Sequence, residues 1–377
     1  MKIAILANDQ PGFIQPMAAG LKKMLDSLGV RAKIFSDGLA MLNYSPRKNL
    51  ETGLKNIIKL SVNLAKPQNY LYQKHVSYAE LRQFEAQMKT FDLIVVVCNI
   101  PDAFLLKKLS RIEKIRMQSN APIVLYQNYY LATRGPWSQK ILDPALYGGG
   151  FGLERYDWYL SASMVSEYPL SQEAHPCTLI GHDLRDSSLS IPSDKPFKAL
   201  LDFKRKGFEH FRELQIQALE ETETKYTQLS GRYRLHEIRQ LYRQHSALFL
   251  SFRESFGLPV VENQLCGNYI FTPHKQWLPS HYTNKSVHEA GEGDLGSNFI
   301  VYDNELAKLK KLIRQCKDKY CPEDIVSDFK ASYPALYHGD LSELKEFIAK
   351  VSAGEITAEL HRQHLLLNER IVNSRAE

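Results

Sequence analysis

The run DLIVVVCN, Asp92 to Asn99, is almost wholly apolar, and a strand of that kind has to be covered on both of its faces. A parallel sheet with helices on either side gives that cover, and such sheets are written in sequence as strands alternating with helices. The N-terminal half follows that pattern. Lys2 to Ala7 reads as a short buried strand, Asn8 to Gly12 as a turn, Pro16 to Leu28 as a helix and Val30 to Phe35 as a second strand. A helix is expected over Leu50 to Ala65, with Leu54, Ile57, Ile58 and Leu64 on one side. The helix Phe104 to Ser119, the strand Pro122 to Gln127 and a last strand at Tyr156 to Ser161 complete this half.

Residues 166–196 carry Pro169, Pro176, Pro192 and Pro196 with little periodicity, as a linker does. The alternation then restarts with a strand at Phe197 to Asp202, helices at Phe208 to Glu221 and Leu235 to Gln244, and a strand at Ala247 to Phe252. A helix at Pro259 to Cys266, strands at Tyr269 to Thr272 and Asn298 to Tyr302, and a helix at Glu305 to Lys317 come next. The chain closes with helices near Leu341 to Val351 and Thr357 to Asn373. A chain of 377 residues exceeds what one core usually supports. The expected fold class is therefore α/β, two Rossmann-like domains facing a central cleft. Residues 1–180 form the first, 181–345 the second, and 346–377 are helices returning toward the first.

The five cysteines are odd in number and scattered, which suits neither a disulfide framework nor a zinc site and fits a reducing cytoplasm. No stretch reaches the roughly 18 to 20 apolar residues that span a bilayer. Residues 1–100 hold 13 Lys and Arg against 7 Asp and Glu, a surplus equal to the +6 of the whole chain. That asymmetry suits an anionic membrane surface touched from the inner side, or an ordinary solvated face. No nucleic-acid-binding motif, P-loop or G-x-G-x-x-G accompanies it.

The chemistry concentrates in ALFLSFRESFGLPVVENQLCGNYIFTP. A strand delivers the loop from Arg253 to Leu258, and Pro259 opens a helix as a favoured first residue. The amides of Phe256, Gly257 and Leu258 then lie at a helix N-terminus, where phosphate binds well, and Gly257 permits close backbone approach. Glu254 precedes the helix, and Glu262 is expected in its first turn. Paired carboxylates accept hydrogen bonds from the vicinal hydroxyls of sugar rings.

ESFGLPVVENQLCG resembles the donor-binding signature of the retaining glycosyltransferase family 4, whose members have the GT-B fold. The resemblance implies that Glu254 contacts the donor sugar and is the catalytic candidate. It implies that Phe256, Gly257 and Leu258 line its neighbourhood and that Glu262 holds the nucleotide ribose. Upstream, LLDFKRKGFEHF ends a strand in a basic loop; Arg205 and Lys206, rather than Lys204, are the candidates for the donor diphosphate. CTLIGHDLRD resembles the family's interdomain turn, which makes Asp183 structural. Gly12, after the first strand, leaves room for donor phosphate or acceptor, and Tyr233 or Arg234 could stack on the base. Many relatives place a histidine after a central N-terminal strand; this chain has Asn99, Asn128 and Tyr129 there.

No two aspartates stand two positions apart, so an Asp-x-Asp metal site is not expected, nor is a bound cofactor. The expected function is a hexosyltransferase that uses a nucleotide-diphosphate sugar as donor and a glycan or lipid-linked acceptor, with retention. The alternative is an inactive donor-binding subunit that partners an active transferase. The missing histidine keeps that alternative open.

Overall fold

A computed structural model describes residues 1–7, 14–42, 77–98, 115–116, 118–130, 156–164, 177–185, 187–254, 257–283 and 293–360. The first sheet contains β1 (Lys2–Leu6), β2 (Arg31–Phe35), β3 (Leu93–Val97), β4 (Ile123–Tyr130), β5 (Trp158–Met164) and β6 (Cys177–Leu179). They run parallel in the order β2-β1-β3-β4-β5-β6. Every residue of β3, and Ile3 to Leu6 of β1, is buried, which is why these strands read as continuous apolar runs. Helix α1 (Ile14–Ser27) covers the sheet with Ile14, Met17, Ala18, Leu21, Met24 and Leu25, a 3.6-residue stripe. The short α2 (Gly38–Leu42) and α3 (Tyr78–Met88) follow, and α3 opens on a capping box in which Ser77 and Glu80 satisfy each other's backbone amides.

The second sheet contains β7 (Ala199–Leu201), β8 (Tyr226–Gln228), β9 (Ala247–Phe249), β10 (Tyr269–Thr272) and β11 (Phe299–Val301). All are parallel, in the order β11-β10-β9-β7-β8. Helices α4 (Glu209–Glu221), α5 (Leu235–Gln244), α6 (Leu258–Leu265) and α7 (Leu306–Asp318) alternate with these strands. Phe249 and Phe271 stack face to face at 4.4 Å across β9 and β10. The chain then enters α8 (Pro322–Ser332), α9 (Pro334–His338) and α10 (Leu341–Ser352), the last of which packs on β6 and α1.

Two stretches of chain join the halves, and they bond to each other. The amide of His182 donates to Ala335 O at 2.7 Å, that of Leu184 to Tyr337 O at 3.0 Å, and that of Asp340 to Ile180 O at 2.7 Å. Gly181 has φ +66°, and a Cβ there would lie 2.0 Å from Ala335 O, so only glycine lets the two stretches approach. Asp183 serves the turn: it accepts from the Arg185 amide at 3.0 Å and from the Arg185 guanidinium, with Lys23 Nζ 3.8 Å away. It is a structural residue, as its place in CTLIGHDLRD implied.

Several elements differ from expectation. Residues 177–179, expected as linker, form edge strand β6, so Tyr156 to Ser161 is not the last strand of the first sheet. A three-residue strand is too short to show a period. The same brevity hid β8. Helices α2, α3, α8 and α9 also go beyond the expected elements. The expected helix Leu50 to Ala65, and most of those at Phe104 to Ser119 and Thr357 to Asn373, lie outside the described residues. Among the described residues no helix is long and apolar enough to cross a membrane.

Gly181→Ala should lower unfolding stability by roughly 1–3 kcal/mol, because it combines a forbidden φ with a backbone clash. Chemical denaturation measures this; stability equal to the parent would mean that the two stretches do not approach as described.

Candidate functional site

β7 and β9 lie side by side in the second sheet but are not consecutive in the chain. From β7 the chain leaves to one side for β8, and it returns on the other side as β9. The loops leaving the carboxyl ends of these two strands therefore diverge and open a crevice, the place where open α/β sheets bind ligands. Asp202, Phe203, Lys204, Arg205 and Lys206 follow β7. Ser251, Phe252, Arg253 and Glu254 follow β9 by way of Leu250. The two basic and acidic candidates of the sequence, Arg205 and Glu254, are thus delivered to one crevice by its two walls.

The walls are tied together at their roots. Asp202 is 4% exposed, and its carboxylate accepts from the Ser251 amide at 3.2 Å and from the Ser251 hydroxyl at 3.1 and 3.2 Å. Arg212, on α4, donates to Asp202 O at 2.6 Å and to its carboxylate at 3.3 Å. One turn on, Gln215 donates to Leu250 O and to the Tyr302 hydroxyl, both at 2.9 Å. The buried face of α4 is therefore polar beside the strand ends, at Arg212 and Gln215, and apolar further along, at Ala218 and Leu219. Burial outweighs these partners and pushes the Asp202 carboxyl up to about 6.

Glu254 stands above this root. Its side chain is 23% exposed and lies 3.6 Å from Arg205 Nη2. Burial raises its carboxyl, Arg205 opposes that, and Asp202 adds to it. An ion pair with a half-exposed arginine contributes on the order of 1 kcal/mol or less, so a ligand phosphate can displace it. The Arg205 guanidinium also lies over the Phe252 ring at 3.8 Å, which keeps it at the crevice mouth. Lys206 is exposed beside it. Burial lowers the imidazoles of His274 and His281, the latter to about 3, so both rings are neutral near the 251–254 loop.

Gly257 adopts φ +59° at the N-cap of α6, and a Cβ there would meet the Glu254 Cβ at 2.8 Å and Cγ at 2.9 Å. Glycine is needed for the turn and for the seating of Glu254. Among the described residues no side chain caps this end of α6. The helix begins at Leu258, which is buried, so Pro259 is its second residue and Glu262 its fifth. Glu262 accordingly belongs to the second turn rather than the first, because the left-handed glycine starts the helix one residue before the proline. Its carboxylate is buried and engaged by Arg239 of α5, with Nε at 3.0 Å and Nη2 at 2.5 Å from the same oxygen. Burial pushes the Tyr242 hydroxyl well above its ordinary value, and the charges of Glu262 and Glu254 add to that.

Gly12, Asn99 and Phe256 lie outside the described residues. Tyr233 packs on Phe203 with ring centroids 6.0 Å apart, and its hydroxyl accepts from the Ser230 amide at 3.3 Å. Arg234 is the N-cap residue of α5. His182 is fully buried, edge-on to Tyr126, with neither ring nitrogen hydrogen-bonded. Among the described residues no three His, Cys, Asp or Glu side chains gather to hold a metal. No motif in the sequence marks Asp202, Ser251, Arg212, Arg239, His274 or His281. Only Asp202 carried a signal there, as a charge ending an apolar strand.

No family model matches the chain, and no curated protein matches it. Solved structures do resemble it. UDP-GlcNAc 2-epimerase from Neisseria meningitidis, bound to UDP-GlcNAc, aligns with TM-score 0.50 and 11% identity over 94% of this chain and 100% of that one. HepE from Anabaena, in complex with UDP-glucose, aligns with TM-score 0.47 and 14% identity over 94% and 100%. Sucrose-phosphate synthase from Thermosynechococcus elongatus gives 0.45 and 11% over the same shares. At such identities the likeness is one of fold. Two parallel, doubly wound sheets in one chain make this the GT-B architecture.

The Asp202 clamp gives a signed pH dependence. Its native pKa of about 6 exceeds the ordinary 3.8, so the folded state binds the proton more tightly. That contribution to stability is full below about 3.8 and is lost as pH rises through about 6. Measured against Asp202→Asn, the parent should lose about 2–3 kcal/mol of relative stability between pH 4 and pH 6.5. A difference independent of pH would show that Asp202 is not buried as described.

Proposed function

We propose that this chain is a glycosyltransferase that moves a hexose from a nucleoside-diphosphate sugar to an acceptor hydroxyl. The observation that carries the proposal is the meeting of Arg205 and Glu254 at the β7–β9 crevice, beside the uncapped end of α6. An anionic leaving group needs fixed positive charge and backbone amides, and Arg205, Lys206 and the start of α6 supply them. A sugar needs acceptors for its hydroxyls, and Glu254 and Glu262 are carboxylates on the same loop and helix. The resemblance of ESFGLPVVENQLCG to the family 4 signature supports the same assignment, with Glu254 at the sugar and Glu262 at the ribose.

In this reading the bond from the anomeric carbon to the diphosphate breaks as the acceptor oxygen bonds on the same face. The acceptor proton leaves with the diphosphate oxygen, and configuration is retained. Charge on the departing diphosphate is met by arginine, lysine and helix amides, without a metal or cofactor. The acceptor is a glycan or a lipid-linked glycan held by the N-terminal half. The basic surplus of residues 1–100 favours peripheral contact with an anionic membrane on the cytoplasmic side. Fold alone does not decide among chemistries, since the similar Neisseria protein is an epimerase.

Thermal shift against a panel of nucleotide sugars identifies the donor, because a ligand bound to the native state raises apparent stability. Glu262→Ala should weaken nucleotide binding about tenfold or more, whereas Glu254→Ala should mainly slow turnover. Turnover should also fall on the acid side through a pKa above the ordinary 4.5 of a glutamate, since burial raises the Glu254 carboxyl. Nucleotide binding with no release of sugar, even with cell-derived acceptors, would overturn the transferase reading.

A further inference from the structure

We infer that Arg239 is a positioning residue for the donor nucleotide: it holds Glu262 in the orientation that recognises the ribose diol, and it anchors that carboxylate to the segment joining the two sheets. The inference rests on the assignment of Glu262 to the ribose and adds a residue that no motif in the sequence marks.

Its basis is geometric. Arg239 and Glu262 are both about 95% buried as side chains, at 5% exposure each. A carboxylate taken out of water needs a charged partner or it is neutralised, and a neutral glutamic acid, with one oxygen now a donor, is a weaker acceptor for a diol. The guanidinium meets that need, since Nε and Nη2 both donate to Oε1 in a charge-assisted grip on that oxygen. The other end of the guanidinium is held as well, since Nη1 donates to Ser188 Oγ at 2.9 Å. One turn along α5, Arg243 Nε donates to Ser190 O at 3.0 Å. The 187–190 segment is therefore fastened to α5 at two points, and the first fastening is the residue that holds Glu262.

A buried ion pair is poor evidence for stability, because apolar residues of the same volume often serve the fold as well. Glu262 lies on the helix that Gly257 starts and Arg239 on α5, and lysine could not reproduce the two-donor grip. Such an arrangement is what a fixed acceptor for a ligand requires. Arg239 itself need not touch the nucleotide.

The test is isothermal calorimetry of the full chain with uridine, guanosine and adenosine diphosphates, each beside its 2′,3′-dideoxy form. The parent should bind one ribonucleotide at least about tenfold more tightly than the dideoxy form. Arg239→Lys and Arg239→Gln should lose about tenfold in affinity for the ribonucleotide while holding the dideoxy form as the parent does. Their discrimination should match that of Glu262→Gln, and Arg239→Met combined with Glu262→Gln should lose no more than either single change. The combined variant leaves no unpaired charge, so it reports even if a single variant fails to fold. Undiminished ribose discrimination in the Arg239 variants, or an equal loss for both nucleotide forms, would overturn the inference. Failure of the parent to bind any of the diphosphates would instead defeat the donor-site assignment on which it rests.

Discussion

A single buried carboxylate sits where the second sheet changes direction. Asp202 ends β7, and Ser251 follows β9; the amide and hydroxyl of Ser251 both bond to the Asp202 carboxylate. That link adds to the ladder between the two strands. With it, the spacing between the Arg205 loop and the Glu254 loop is set at the root and carried outward. Arg212 and Gln215 reinforce the same few residues from α4. The cost is a carboxyl driven up to about 6 by burial, the kind of local expense that accompanies sites rather than cores.

The crevice divides its work between weak and strong charge pairs. Arg205 and Glu254 are partly exposed and 3.6 Å apart, a contact that an incoming phosphate or hydroxyl can replace. Arg239 and Glu262 are buried and closely bonded, and removing one partner would strand a charge at a cost of about 3–5 kcal/mol. The exchangeable pair is the exposed one and the permanent pair the buried one. Gly257 connects them, because its left-handed turn starts α6 and seats the stem of Glu254 where any Cβ would collide.

The architecture was legible in the sequence wherever burial wrote a pattern. The DLIVVV run, the stripe from Ile14 to Leu25 and the strand–loop–helix around Glu254 each state their environment in residue type. The three-residue strands β6 and β8 could not, since their pairing is decided by neighbours and not by any internal period. Helix α3 was readable after all: Ser77 and Glu80 spell a capping box, and α8 begins with proline followed by Glu323 and Asp324. Within the site, Arg205, Gly257 and Glu254 stand out by their local spacing. Arg239 and Asp202 do not, because their partners are 23 and 49 residues away. A charge on an amphipathic helix such as α5 looks solvated until the fold shows what lies opposite.

The central claim is that the loops after β7 and β9 form one donor site. Backbone hydrogen exchange of the full chain, followed with and without a saturating nucleotide sugar, tests it most directly. The account predicts new protection in two separated segments together, residues 203–208 and 251–262, with little change in the first sheet's strands. Protection of only one segment, or of neither while the nucleotide sugar is bound, would contradict it.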